Sequence, residues 1–324
     1  MRRDLRKSGK ESVFKAYCEE MSRSGITLFR PGDLKKYFRE NCAALGAAGY
    51  NRFVSDAVES GILQRRTFHV LYAGKTYYTS GYFELKSDFE KMLELAAAVY
   101  ENGYFSHFTA VYLNGLSEQI PKVVCINTEQ KKSGYYNNPE AARKALTDEK
   151  IALAFAKDKR QSGFCAEEFD YRLLRVSGKN TKNSGVFKRK LGEFEFRVTD
   201  PERTLIDVTV TPEYAGGIYS VLKAYQTAAE WEADPVLSVD KLVRYLKRIA
   251  YIYPYHQAVG FLLDCAGIDR KITDGFRAEF EIRHDFYLVH GSAMNRDKRN
   301  LVYSGRWKIY APRLLFEQYQ ELFG

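Results

Sequence analysis

Apolar residues recur with helical spacing three times between Val13 and Val58, then switch to strand spacing from Ile62 to Thr79. Val13, Phe14, Tyr17, Cys18 and Met21 predict a first helix, with Ile26-Thr27-Leu28-Phe29 as a short strand-like link after it. Pro31-Gly32-Asp33 opens a second helix with Leu34, Tyr37 and Phe38 inward. Tyr50, Phe53, Val54, Ala57 and Val58 form the inner face of a third, which Gly61 stops. A hairpin follows, Phe68 to Tyr72 and Thr76 to Thr79, with its turn expected at Ala73-Gly74. Three short helices followed by a hairpin is the order of a winged helix-turn-helix, expected over residues 1–82.

Charge points the same way. Residues 1–80 carry 15 Lys and Arg against 8 Asp and Glu, most of the net +9 of the whole chain. The remaining residues are close to neutral. A basic block of this kind favours an anionic partner such as nucleic acid.

A reading helix presents its outward residues to base edges in the major groove, while the wing and flanks hold phosphates. With Phe53, Val54, Ala57 and Val58 inward, the outward positions are Asn51, Arg52 and Ser55. Asn can bond adenine and Arg can bond guanine in bidentate fashion. Lys35 and Lys36 on the second helix, and Arg65, Arg66 and Lys75 on the wing, suit phosphate contacts. A solvated polar face on a small helical domain is the plainer alternative for each. The basic arm Arg2, Arg3, Arg6, Lys7 and Lys10 could track a minor groove. The clusters Lys188-Arg189-Lys190 and Arg296, Lys298, Arg299 sit in an expected hairpin or loop, where charge is the default.

Residues 83–324 read as a larger mixed α/β domain, which makes the chain α+β. A helix carries Phe89, Met92, Leu93, Ala96, Ala97 and Tyr100, and Ser106 is placed to cap the next, with Thr109 at its third position. Val123-Val124-Cys125-Ile126 is apolar throughout, as expected of a buried strand. Strands are expected at Tyr171–Val176 and across Phe194, Phe196 and Val198. Asp200-Pro201-Glu202 is a strong helix start. Further helices follow near Gly217–Ala228, Val239–Ala250 and Tyr255–Ala266, and strand character returns at Phe280–His290 and Trp307–Tyr310. The regular βαβ alternation and Gly-rich turn of a doubly wound sheet are both missing.

Little in the sequence suggests catalysis. Asp200, Glu202 and Asp207 surround Arg203, which capping and an internal ion pair explain. Glu279 and Glu281 would share one face of an expected strand, the sole hint of a nuclease-like metal site, and His284 and Asp285 would point to opposite faces. There is no P-loop and no nucleophile elbow. Cys18, Cys42, Cys125, Cys165 and Cys265 are scattered without metal-ligand spacing and fit reduced thiols in a cytoplasmic protein. No cofactor, metal or membrane span is expected.

Three stretches carry a likeness that spacing alone does not give. They are Tyr104-Phe105-Ser106-His107-Phe108-Thr109-Ala110 with Asn114-Gly115-Leu116, then Val198 to Asp207 with Tyr214-Ala215-Gly216-Gly217, and Tyr253 to Leu263. Together they resemble the AbiEi antitoxins, the abortive-infection half of type IV toxin–antitoxin pairs. The resemblance runs from about residue 10 to about 290, and ERTLID followed by YAGG is its specific part. It implies a cytoplasmic phage-defence regulator with no enzymatic activity of its own. Such a protein binds the double-stranded DNA of its own promoter through the N-terminal domain and neutralises a nucleotidyltransferase-like toxin through the C-terminal one. The alternatives are a nuclease with a DNA-reading head and a non-catalytic adaptor that binds protein.

Overall fold

A computed structural model describes residues 10–45, 49–130, 139–159, 163–230, 237–291 and 300–317. Arg2, Arg3, Arg6 and Lys7 of the basic arm, and Arg296, Lys298 and Arg299, lie outside the described residues.

The N-terminal segment runs α1 (Lys10–Arg23), β1 (Leu28–Phe29), α2 (Pro31–Leu45), α3 (Tyr50–Glu59), β2 (Leu63–Val70) and β3 (Ala73–Ser80). In its sheet β3 lies between β1 and β2 and is antiparallel to both. Phe14, Leu34, Phe53 and Leu63 meet in a small aromatic core, where Phe14 and Phe53 pack edge to face at 4.7 Å. Val13 is an exception to the expected inner face of α1, being 40% exposed.

The hairpin turns at Leu71-Tyr72 rather than at Ala73-Gly74. Val70 pairs with Ala73, so two residues remain for the loop, and they adopt φ of 55° and 65° without a glycine. Both values belong to the tight turn that matches strand twist. Its geometry is held from outside, because the Leu71 N–H donates to the Cys165 carbonyl at 2.7 Å.

A short 3-10 turn at Gly81–Leu85 leads into α4 (Asp88–Val99), which Ser87 and Glu90 start with a reciprocal capping box. The central sheet has six strands in the order β6-β7-β5-β4-β9-β8, comprising β4 (Tyr104–Phe105), β5 (Val123–Asn127), β6 (Phe164–Glu168), β7 (Tyr171–Val176), β8 (Val186–Leu191) and β9 (Phe194–Thr199). The β4–β9 and β5–β7 pairs are parallel and the others antiparallel, so the sheet is mixed. In β5, Val124 and Ile126 join the core around α4 while Cys125 packs with Leu174, Val176 and Tyr214 on the other face. Covering both faces is what makes this strand apolar throughout.

Beyond α5 (His107–Leu113), α6 (Pro139–Lys144) and α7 (Asp148–Ala154), the chain builds a helical layer. It comprises α8 (Pro201–Val210), α9 (Ile218–Glu230), α10 (Val239–Ile249), α11 (Tyr255–Cys265) and α12 (Arg270–Ala278). A small sheet, β10 (Phe286–Tyr287), β11 (Leu301–Ser304) and β12 (Ile309–Pro312), closes it. Gly260 is required at the centre of α11, since a Cβ there would lie 2.2 Å from the Trp307 ring. Trp307 is 1% exposed and donates its indole N–H to Asp264 at 2.6 Å, which makes the C-terminal tail part of the core.

Two expectations are corrected here. Ser106 does not cap α5, because its hydroxyl is engaged by the His107 ring at 2.8 Å. Thr109 likewise bonds the β5 backbone, at Val123 and Cys125. Phe280–His290 is strand only at Phe286–Tyr287, because α12 runs to Ala278 and the segment after it wraps around α11.

The N-terminal sheet is fastened to the rest through Glu94, which is 3% exposed on α4. Its carboxylate accepts from the Leu28 N–H at 2.8 Å and from the Thr27 hydroxyl and Lys86 ammonium at 2.7 Å each, and also from the Thr27 N–H. Glu94→Ala leaves the two backbone N–H groups and the Thr27 hydroxyl buried without this acceptor, and leaves the Lys86 ammonium with the Gly25 carbonyl but no carboxylate. We expect it to cost about 3 kcal/mol in urea denaturation. A loss under about 1 kcal/mol would mean that the cluster behaves as a surface pair.

His107 gives a second expected outcome. Its ring is fully buried, and burial, opposed by Asp207 and assisted by Lys159 and Arg203, lowers its pKa from 6.5 to about 4. Below pH 6.5 the unfolded chain takes up a proton that the folded chain refuses. Stability from this group is therefore complete above pH 6.5 and falls by up to about 3 kcal/mol as pH drops towards 4. His107→Asn, which tolerates the local φ of 52°, should flatten the fall in denaturation midpoint over that range. Parallel curves for the two proteins would contradict the assignment.

Candidate nucleic-acid interface

α3 is amphipathic, so its placement follows from what it buries. Phe53, Val54 and Ala57 pack into the N-terminal core, and the Tyr50 hydroxyl donates to the Pro31 carbonyl at 3.0 Å, setting α3 against the start of α2. The same packing turns Asn51, Arg52 and Ser55 to the surface, where all three are exposed.

Two acidic residues of α3 organise this outer face. Arg52 donates its Nε–H to Asp56 at 2.8 Å, and Ser55 donates to Glu59 at 3.2 Å. The Asp56 contact occupies the Nε side of the guanidinium. The pair of terminal nitrogens is the part of the fork used in bidentate recognition. Arg52 remains 57% exposed in this arrangement.

On α2, Lys35 and Lys36 are exposed, and so is Arg39 one turn further on. Arg39 was missed in the sequence reading; its spacing of three and four residues from Lys36 and Lys35 was the available signal.

The hairpin residues separate. Alternation along β2 and β3 puts Arg66 and Lys75 on the sheet face shared with Phe68 and Tyr77, which looks towards α4. Arg65 lies on the other face, shared with Tyr78 and the three helices. Arg66 is the most constrained of them. It forms an ion pair with Glu84, donates to Thr79 at 3.2 Å and lies 5.6 Å from the Phe83 ring centre. Arg65 and Lys75 are exposed. Arg65 and Arg66, both expected at phosphates, are divided between the two faces by the two-residue strand period.

The other charge clusters resolve as follows. Lys188, Arg189 and Lys190 are exposed along β8, an edge strand of the central sheet, where Lys188 pairs with Glu195 at 2.6 Å and Arg189 donates to Asn114 at 2.9 Å. Glu279 and Glu281 do not share a strand face. Glu279 is the residue following α12 and pairs with Lys247, and the Glu281 carbonyl faces His256 at 3.2 Å. Asp200 caps α8 by accepting from the Arg203 N–H, and Arg203 pairs with Asp207 at 2.8 Å, as the sequence suggested. Among the described residues, no helix is long and apolar enough to cross a membrane.

No family model matches the chain, and no curated protein matches it. Among solved structures, the crystal structure of RV2827C protein from Mycobacterium tuberculosis is similar, with a TM-score of 0.51 at 13% sequence identity. The match covers 97% of this chain and 95% of that one. At that identity the likeness concerns the fold, and the fold is α+β.

Proposed function

We propose that this chain is a cytoplasmic DNA-binding autorepressor of the AbiEi type, whose N-terminal segment is a winged helix that reads its own promoter. We further propose that the remainder neutralises a nucleotidyltransferase-like toxin and has no enzymatic activity. The observation that carries the DNA reading is the outer face of α3. Asn51, Arg52 and Ser55 are exposed together, on a helix fixed by its buried face, with Asp56 on the Nε side of Arg52.

Three further facts support the reading. The element order helix–strand–helix–helix–strand–strand, with the last strand central in its sheet, fits the order expected of a winged helix. The basic surplus of the chain is concentrated in the same segment. The antitoxin part rests on the likeness of the ERTLID and YAGG stretches to the AbiEi family.

In this reading Asn51, Arg52 and Ser55 face base edges. Lys36, Arg65 and Lys75 contact phosphates, and Arg66 contributes after exchanging Glu84 for a phosphate oxygen. Glu279 and Glu281 occupy separate contacts, so the pair behind a nuclease reading is not assembled, and no observation favours that alternative.

Fluorescence anisotropy on DNA from upstream of the chain's own gene, titrated with salt, tests the proposal. Arg52→Ala should cost about 1–3 kcal/mol on that DNA and relax the preference at one base pair. Lys75→Ala should weaken cognate and scrambled DNA alike and reduce the slope of log affinity against log salt by about one. Identical behaviour of the two variants would overturn the assigned orientation of α3. Binding without salt dependence would favour a protein-binding adaptor.

A further inference from the structure

A polar cavity of about 300 Å³ lies in the body of the molecule, at the carboxyl ends of the parallel strands β5 and β7, where Asn127 and Val176 line it. The opposite wall is α8, which contributes Arg203 and Asp207.

Asp207 is the group that its surroundings leave incomplete. Its side chain is 6% exposed, and one carboxylate oxygen accepts from Arg203 at 2.8 Å. The other oxygen is buried and has no hydrogen-bond partner. A buried carboxylate oxygen without a donor is costly. One of the two terminal nitrogens of Arg203 is committed to Thr181 at 3.0 Å and the Ser184 carbonyl at 2.7 Å, and the second oxygen of Asp207 accepts from none of the guanidinium nitrogens. Nor does His107 serve it, since both ring nitrogens are engaged, at Ser106 and at Thr211.

Across the same cavity stands Lys179. Its ammonium is positioned by the carbonyls of Ile249 and Ala250, at 2.6 and 2.8 Å, and by the Tyr251 ring at 5.9 Å. An ammonium has three donors, and these two carbonyls take two of them. Lys159 adds a second cation at the rim, 3.9 Å from Glu213. The lining thus combines an acceptor that lacks a donor with a cation that has a donor to spare, and Val176, Val210, Tyr214 and Tyr251 supply apolar and aromatic wall.

We propose that this cavity binds a free α-amino acid with an apolar or aromatic side chain. Its ammonium would donate to the second oxygen of Asp207 and its carboxylate would accept from Lys179, while the side chain lies against the valines and tyrosines. A plain anion satisfies Lys179 but leaves Asp207 as it is, and a plain amine does the reverse. The larger cleft of about 420 Å³ between α10, α11 and α6 is a weaker candidate. Lys247 is paired there with Glu279, Lys144 with Glu140 and His284 with Asp148, and among the described residues no buried carboxylate in its lining lacks a donor. The proposal stands apart from DNA reading, and either can fail without the other.

Isothermal titration calorimetry of the full chain against each proteinogenic amino acid, with propionate and propylamine as single-charge controls, tests it. The expected result is saturable one-to-one binding of at least one apolar or aromatic amino acid, with both controls weaker by about tenfold or more. Asp207→Asn and Lys179→Met should each reduce that affinity by a similar factor. Should Asp207→Asn fail to fold, Lys179→Met and the cavity-filling Val210→Trp, each verified by circular dichroism, decide the matter. No saturable heat from any amino acid overturns the proposal. So does binding that Lys179→Met and Val210→Trp leave unchanged, or binding in which either control equals the amino acid.

Discussion

One buried carboxylate ties the N-terminal sheet to the rest of the molecule. Glu94 is on a helix whose neighbours Met92, Leu93, Leu95 and Ala96 are fully buried, so its location is dictated by apolar packing on several sides at once. From there it takes the backbone of β1, the Thr27 hydroxyl and Lys86. β1 pairs with β3, β3 with β2, and the free end of that hairpin bonds the Cys165 carbonyl. The sheet is therefore gripped at both ends. Gly25 adds a close approach, since any Cβ there would meet the Phe194 backbone at 2.1 Å, on a residue whose φ of 76° already requires glycine.

This fastening separates the charged residues of the β2–β3 hairpin by environment. The face towards α4 holds Phe68, Val70 and Tyr77 in the main core, and Arg66 on that face is drawn into contacts with Glu84 and Thr79. The face towards the three helices leaves Arg65 open to solvent.

Much of the fold was legible because its signals are local. Helical spacing located α1, α2 and α3, Asp200-Pro201-Glu202 located α8, and the unbroken apolar run located β5. What escaped were features set by distant partners. The glycine at position 74 attracted the turn, but strand register and the Cys165 carbonyl put it at Leu71-Tyr72. Ser106 looked like a cap because local sequence cannot show that His107 will claim its hydroxyl while Thr211, over a hundred residues away, holds the other ring nitrogen. Glu279 and Glu281 looked like a strand pair because α12, basic and short, gave a weak apolar pattern. The candidate site was legible on α3, where burial of one face fixes the other. On the wing it was less so, since sequence gives alternation but not which face is covered.

The account turns on α3 lying in a major groove with the Arg52 fork on a guanine. Guanine-N7 methylation interference on the upstream DNA tests this most directly, comparing the wild type with Arg52→Ala at concentrations giving equal occupancy. The account predicts a guanine whose methylation blocks the wild type and leaves Arg52→Ala indifferent, because that N7 is the acceptor the fork uses. An identical interference pattern for the two proteins, or none for the wild type, would contradict it.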